Sequence, residues 1–153
     1  MITADDQTAY LGTRTGDIVE VNLERCLFKR IGPAKRLFSQ GINVINLLAN
    51  GDLLIGAGDG TIAKINSSDM LVKSEAQVMG ACTSIALTAD NTHFFAGTSK
   101  STIYWCNTDT ISPELRNTCH YERINDIAFP SGYSELFATC SVNDIRVWNA
   151  TTR

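Results

Sequence analysis

Apolar positions in this chain come in short runs separated by compact polar turns, and the pattern recurs. Four stretches share it: YLGTRTGDIVEV (10–21), LIGAGDGTIAKI (54–65), FAGTSKSTIYWC (95–106) and FATCSVNDIRVW (137–148). Each is an apolar pair, a turn of small residues and a second apolar run, opened in turn by Ile18, Ile62, Ile103 or Ile145. Short runs of β-branched and aromatic residues bounded by Gly, Asn, Asp and Ser predict strands, and two runs across a tight turn predict a hairpin. No stretch carries a sustained stripe at helical spacing. A further apolar run precedes three of the hairpins: INVINLL (42–48), CTSIAL (82–87) and INDIAF (124–129). Turn residues follow each of these, Asn50-Gly51, Asp90-Asn91 and Pro130-Ser131-Gly132. More polar pieces between the units, LVKSEAQV (71–78) and ELRNTCH (114–120), predict an outer strand with one wetted face.

The four isoleucines stand 44, 41 and 42 residues apart, a period in the range of one four-stranded propeller blade. The predicted fold is therefore all-β, a partial β-propeller of about three to four antiparallel four-stranded blades. One domain over residues 1–153 is expected, with blade segments near 1–40, 41–80, 81–120 and 121–153. The first unit lacks a leading strand and the last an outer one, which leaves free strand edges of the kind a closed propeller removes. The expectation is a fragment, a short isoform or one piece of a larger protein that holds the remaining blades.

Composition narrows the function classes. With 44% hydrophobic residues the 153-residue chain can bury a real core, and its formal charge of −3 gives no footprint for nucleic acid or an anionic membrane. No basic-then-apolar leader opens the sequence and no apolar run is long enough to cross a bilayer, so the chain reads as soluble and unsecreted. Five widely spaced cysteines, Cys26, Cys82, Cys106, Cys119 and Cys140, form no C-x-x-C pair and read as reduced, buried thiols.

The residues also carry a family resemblance. FATCSVNDIRVWN resembles the second strand, turn and third strand of a WD40 repeat, and AFPSGYSELFATCS resembles its first two strands. LRNTCHYERINDIAFP, GDLLIGAGDGTIAKI and LTADNTHFFAGTSKSTIYW, taken together, are similar to the cilia- and flagella-associated WD40 proteins of the axoneme, from about residue 40 onward. The resemblance implies a hydrogen-bonded group holding the blade: a Trp on the third strand, a Ser or Thr on the second, an Asp in the tight turn and a His entering the first. Here the last repeat can supply Trp148, Thr139 or Ser141, Asp144 and His120. It departs from the family pattern in three ways: Cys119 precedes His120 where Gly is usual, the turn is one residue short, and the other blades end in Val21, Ile65 and Cys106 instead of Trp.

No catalytic residue, cofactor site or metal site is nominated. GAGDGT (56–61) has Thr61 where a dinucleotide fingerprint needs glycine, and no Gly-Lys-Ser/Thr of a phosphate loop; a hairpin turn is the better reading. The two histidines, His93 and His120, are far apart in sequence, and Cys119 beside His120 points to the opposite strand face. A basic segment, FKRIGPAKRLF (28–38), gathers Lys29, Arg30, Lys35 and Arg36 as a partner-binding loop or a solvated connection. The family resemblance implies a non-catalytic scaffold of the ciliary or flagellar axoneme, in the cytoplasm and cilium, with tubulin, the doublet microtubule and other axonemal proteins as partners. The competing class is a soluble WD40 adaptor in signalling or ubiquitin transfer.

Overall fold

The computed structural model describes residues 1–34, 38–117 and 120–151. Among them the regular elements are all strands, arranged as four antiparallel meanders. The first sheet holds β1 (Thr8–Gly12), β2 (Ile18–Asn22) and β3 (Leu27–Gly32). The second holds β4 (Ile42–Leu47), β5 (Leu53–Ala57), β6 (Thr61–Ile65) and β7 (Val72–Gln77). β8 (Cys82–Leu87), β9 (His93–Thr98), β10 (Ile103–Asn107) and β11 (Pro113–Asn117) make the third, and β12 (Asp126–Ala128), β13 (Leu136–Cys140) and β14 (Ile145–Asn149) the fourth. Within each sheet strand order follows chain order, as short hairpin turns require.

The second sheet shows why these residues take these places. β5 and β6 are buried at every position, which their near-continuous apolar character anticipates, whereas β7 alternates between half-buried and exposed and is the wetted outer strand. The turn between β5 and β6 uses its glycines in two different ways. Gly60 has φ +87°, and a Cβ there would lie 2.6 Å from the Val78 carbonyl oxygen; Gly58 instead leaves room for the Gln40 carbonyl, 2.3 Å from where its Cβ would be. Asp59 Oδ1 accepts the Thr61 N–H at 2.9 Å and closes the bend.

The sheets stand side by side around a shared inner edge. β8 meets both β4 and β12, and β1 lies against β4. Each junction is an apolar cluster: Tyr10, Ile18 and Phe38 against Ile55 and Ile65, then Leu54 and Ile62 against Cys82 and Phe94, then Phe95 and Ile103 against Ile124 and Phe137. A fully buried side chain of this size contributes roughly 1.5–3 kcal/mol, so the three seams are the main source of cohesion. Residues 1–3 run along the free edge of β1, with Ile2 bridging Ala9 and the Tyr10 N–H donating to the Met1 carbonyl at 2.9 Å. This short stub occupies the position of the leading strand that the sequence pattern shows in the later units.

One hairpin differs from the rest in register. Ile18, Ile62 and Ile103 pair across their hairpins with Gly12, Gly56 and Gly97, whereas Ile145 pairs with Cys140. The last turn is one residue shorter, and a shift of one residue turns a strand over. Thr139, which lines up with those glycines in the sequence, consequently faces back toward the third sheet. Phe137 goes with it and stacks on Phe95, ring centroids 3.9 Å apart.

Candidate functional site

The inward face of the fourth sheet brings His120, Thr139, Ser141, Asp144 and Trp148 into one hydrogen-bonded group. Trp148 on β14 donates its indole N–H to Thr139 Oγ1 on β13 at 2.8 Å. The Thr139 oxygen lies 2.7 Å from His120 Nε2, and His120 Nδ1 lies 2.7 Å from Asp144 Oδ1. One tautomer satisfies every member in sequence: the Thr139 hydroxyl donates to Nε2, and Nδ1–H donates to the carboxylate. Ser141 donates its hydroxyl to the same carboxylate, and Arg146 Nε–H donates to Asp144 Oδ2 at 2.7 Å. The Ser141 hydroxyl, the His120 ring and the Arg146 guanidinium together hold the Asp144 carboxyl well below the usual range.

Sequence reasoning left Thr139 and Ser141 as alternatives for the hydroxyl position, and the structure uses both: Thr139 receives the indole and Ser141 holds the carboxylate. Sequence reasoning does not single out Arg146; its signal is a charge on β14 two residues beyond Asp144, which lies in the turn before that strand. The order hydroxyl, imidazole, carboxylate has the connectivity of an acyl-transfer triad. Thr139 is 1% exposed, however, and its oxygen already accepts the indole N–H, so no substrate carbonyl reaches it. The arrangement fixes a turn and two strands.

The basic segment is partly absorbed into the fold. Glu20 on β2 is buried, with Lys29 Nζ 2.6 Å from Oε1 and Arg30 Nε on Oε2. Burial pushes the Glu20 carboxyl up, but hydrogen bonds and charge from Arg30 and Lys29 outweigh it and hold the group below its ordinary value. Arg30 also donates across the seam to the Ser67 carbonyl at 2.6 Å and to that of Ser68. Lys29 keeps 54% of its side-chain surface exposed. Lys35 and Arg36 lie outside the described residues.

A second set of polar contacts, missed at the sequence level, clamps neighbouring sheets. Asn43 sits where pairing of β4 with β5 skips a residue, and its Nδ2 donates to the Cys82 carbonyl at 2.8 Å. Thr83 sits at the same irregularity of β8 with β9, and its hydroxyl donates to the Ile124 carbonyl. The bulge frees each residue to reach sideways. The available signal is that donor and acceptor are 39 and 41 residues apart, close to the repeat length.

The remaining candidates are occupied by structure. His93 stacks on Trp105 with centroids 4.7 Å apart and planes 4° off parallel. Cys82 and Cys106 are buried and their thiols are pushed up to about 12 by desolvation, whereas Cys26 is exposed, against the expectation of a buried thiol; Cys119 lies outside the described residues. Among the described residues no three His, Cys, Asp or Glu side chains are placed to hold a metal ion.

Four antiparallel meanders sharing an inner edge, with a Trp–Thr–His–Asp network in one of them, define a WD40-type β-propeller. The solved structure titled "Crystal structure of RRP9 WD40 repeats" matches it with a TM-score of 0.85 at 15% identity, over 97% of this chain and 46% of that one. No family model matches the chain. The sequence is 44% identical over 148 residues, 97% of this chain, to cilia- and flagella-associated protein 52 of Bos taurus. It is 42% identical over 155 residues, 99% of this chain, to the protein of that name from Chlamydomonas reinhardtii. The resemblance read from residue 40 onward thus extends across the first repeat as well. The chain spans about a quarter of the length of these curated relatives, 24% and 25%.

Proposed function

We propose that the chain is part of a non-catalytic WD40 scaffold of the ciliary or flagellar axoneme, one that binds doublet microtubules and neighbouring axonemal proteins and supports motility. The observation that carries this reading is the 44% identity, spread over 97% of the chain, to a cilia- and flagella-associated protein. The geometry supports a scaffold because the hydroxyl–imidazole–carboxylate group of Thr139, His120 and Asp144 is used to lock a blade. Rigid blades present loops and edges to several proteins without chemistry of their own. The exposed part of Lys29, within the basic segment 28–38, is the proposed contact with an acidic partner such as tubulin.

Fractionation tests the reading. A tagged protein carrying this chain, expressed in ciliated cells, should remain with doublets after detergent extraction and a salt wash. Recovery in the detergent-soluble pool would favour the soluble adaptor instead.

A further inference from the structure

Asn50-Gly51 is the chain's one Asn-Gly pair, and it lies in the turn between β4 and β5. Gly51 has φ +83°, and a Cβ there would meet only Ser67 Oγ, 4.0 Å away, so the turn asks for glycine by its backbone and not by crowding. The same freedom makes the pair reactive, because no side chain shields the Gly51 nitrogen from the Asn50 carboxamide. Nitrogen and carboxamide are nevertheless both engaged. The Gly51 N–H donates to the Leu48 carbonyl at 2.9 Å. Asn50 Oδ1 accepts the Asp52 N–H at 3.0 Å, and Nδ2 donates to Asp52 Oδ2, also at 3.0 Å. Asp52 is itself 4% exposed and is fixed from β7, where Lys73 Nζ lies 2.7 and 2.8 Å from its two carboxylate oxygens.

We propose that Asn50 is a deamidation site kept silent by this turn: Asp52, anchored by Lys73, ties down both ends of the carboxamide. In the reaction the Gly51 nitrogen forms a bond to Asn50 Cγ while the bond from Cγ to Nδ2 breaks, and the Gly51 proton leaves with the side-chain nitrogen as ammonia. Water then opens the cyclic imide at one carbonyl or the other, giving aspartate or an isoaspartate whose main chain runs through the side chain. Cγ becomes tetrahedral on the way, so Oδ1 and Nδ2 must both swing from where Asp52 holds them, and Gly51 must give up its bond to Leu48. Local opening of the hairpin is what permits that. The product also undoes the turn. An oxygen in place of Nδ2 would stand beside Asp52 Oδ2 as a second negative charge, in a cleft that Asp90 and Asp109 already line.

Peptide mapping by mass spectrometry tests it on the protein carrying this chain, incubated in mildly alkaline buffer. Conversion at Asn50 should be at least about tenfold slower in the folded protein than in guanidinium chloride. Lys73→Gln releases Asp52 and should speed conversion several-fold in buffer without changing it in denaturant, while Lys73→Arg, which keeps the ion pair, should stay close to the wild type. Trp148→Phe, in the fourth sheet, weakens the fold away from the turn and should leave the rate unchanged. Circular dichroism verifies that each variant is folded. Asn50→Asp should melt below the wild type. Equal rates with and without denaturant overturn the proposal, as does a Lys73→Gln protein that converts no faster. A Trp148→Phe protein that converts as fast as Lys73→Gln traces the protection to global stability and removes the guard from Asp52. An Asn50→Asp protein that melts at or above the wild-type temperature refutes the loss of the turn.

Discussion

Trp148 and Thr139 meet through an indole N–H donated at 2.8 Å to a hydroxyl that is itself 1% exposed. Two separable contributions act at this contact, ring packing against Phe137 and satisfaction of the donor. Trp148→Phe keeps most of the first and removes the second, at a cost of about 1 kcal/mol. Trp148→Ala removes both and should cost about 3 kcal/mol, the low end of aromatic truncation because the side chain is half-buried. Urea unfolding of the two variants measures the difference; equal costs would mean that the ring contributes no packing.

Acid should loosen the fourth sheet. The Asp144 carboxyl is held below its unfolded value by Ser141, His120 and Arg146. Because the folded value is the lower one, the stabilisation is fully present above the ordinary Asp range, about 3.9, and is lost as pH falls below it toward the folded value. The melting temperature of the wild type should drop below about pH 4. Asp144→Asn should be less stable at neutral pH and show a shallower acid limb; an unchanged limb would remove Asp144 from the linkage.

Gly56 tests the seam between the second and third sheets. A Cβ there would lie 2.4 Å from Cys82 Sγ and 2.7 Å from Val44 Cγ1, in a cluster with no spare room. Gly56→Ala should therefore cost about 1–3 kcal/mol through overpacking. Gly97→Cys would be worse, since Ile124 Cγ2 lies 2.6 Å from its Cβ position. Thermal unfolding reads both. Neutral substitutions would indicate that the sheets sit farther apart.

Thiol chemistry should separate the cysteines by burial. Cys26 is exposed and should react with a thiol reagent near pH 8 in the folded protein. Cys82 and Cys106, pushed up to about 12, should react only after unfolding. Mass spectrometry of pulse-labelled protein reports each site. Rapid labelling of Cys82 without denaturant would contradict the seam it occupies.

The hairpins were legible because Ile18, Ile62 and Ile103 mark the same ladder position opposite a glycine in three sheets. The fourth isoleucine looks identical in the sequence, yet Ile145 ends up 76% exposed. Letter spacing records repetition, while exposure depends on whether another sheet lies beyond. The members of the polar network came from family resemblance; spacing alone does not reveal that a shorter turn points Thr139 inward, because the pattern around it is apolar on both sides. Glu20 was invisible for another reason: a lone acid in an apolar strand gains meaning only when Lys29 and Arg30 fold across it. Asn43 and Thr83 were silent because the bulges that aim them sideways are pairing irregularities, not residue preferences.

The clamps made by Asn43 and Thr83 end on main-chain carbonyls, those of Cys82 and Ile124. Every residue type supplies that oxygen, so the receiving half of each joint survives whatever amino acid drifts into place. A wheel fastened in this way tolerates wholesale rewriting of its letters, and a solved chain sharing 15% of them keeps its outline to a TM-score of 0.85.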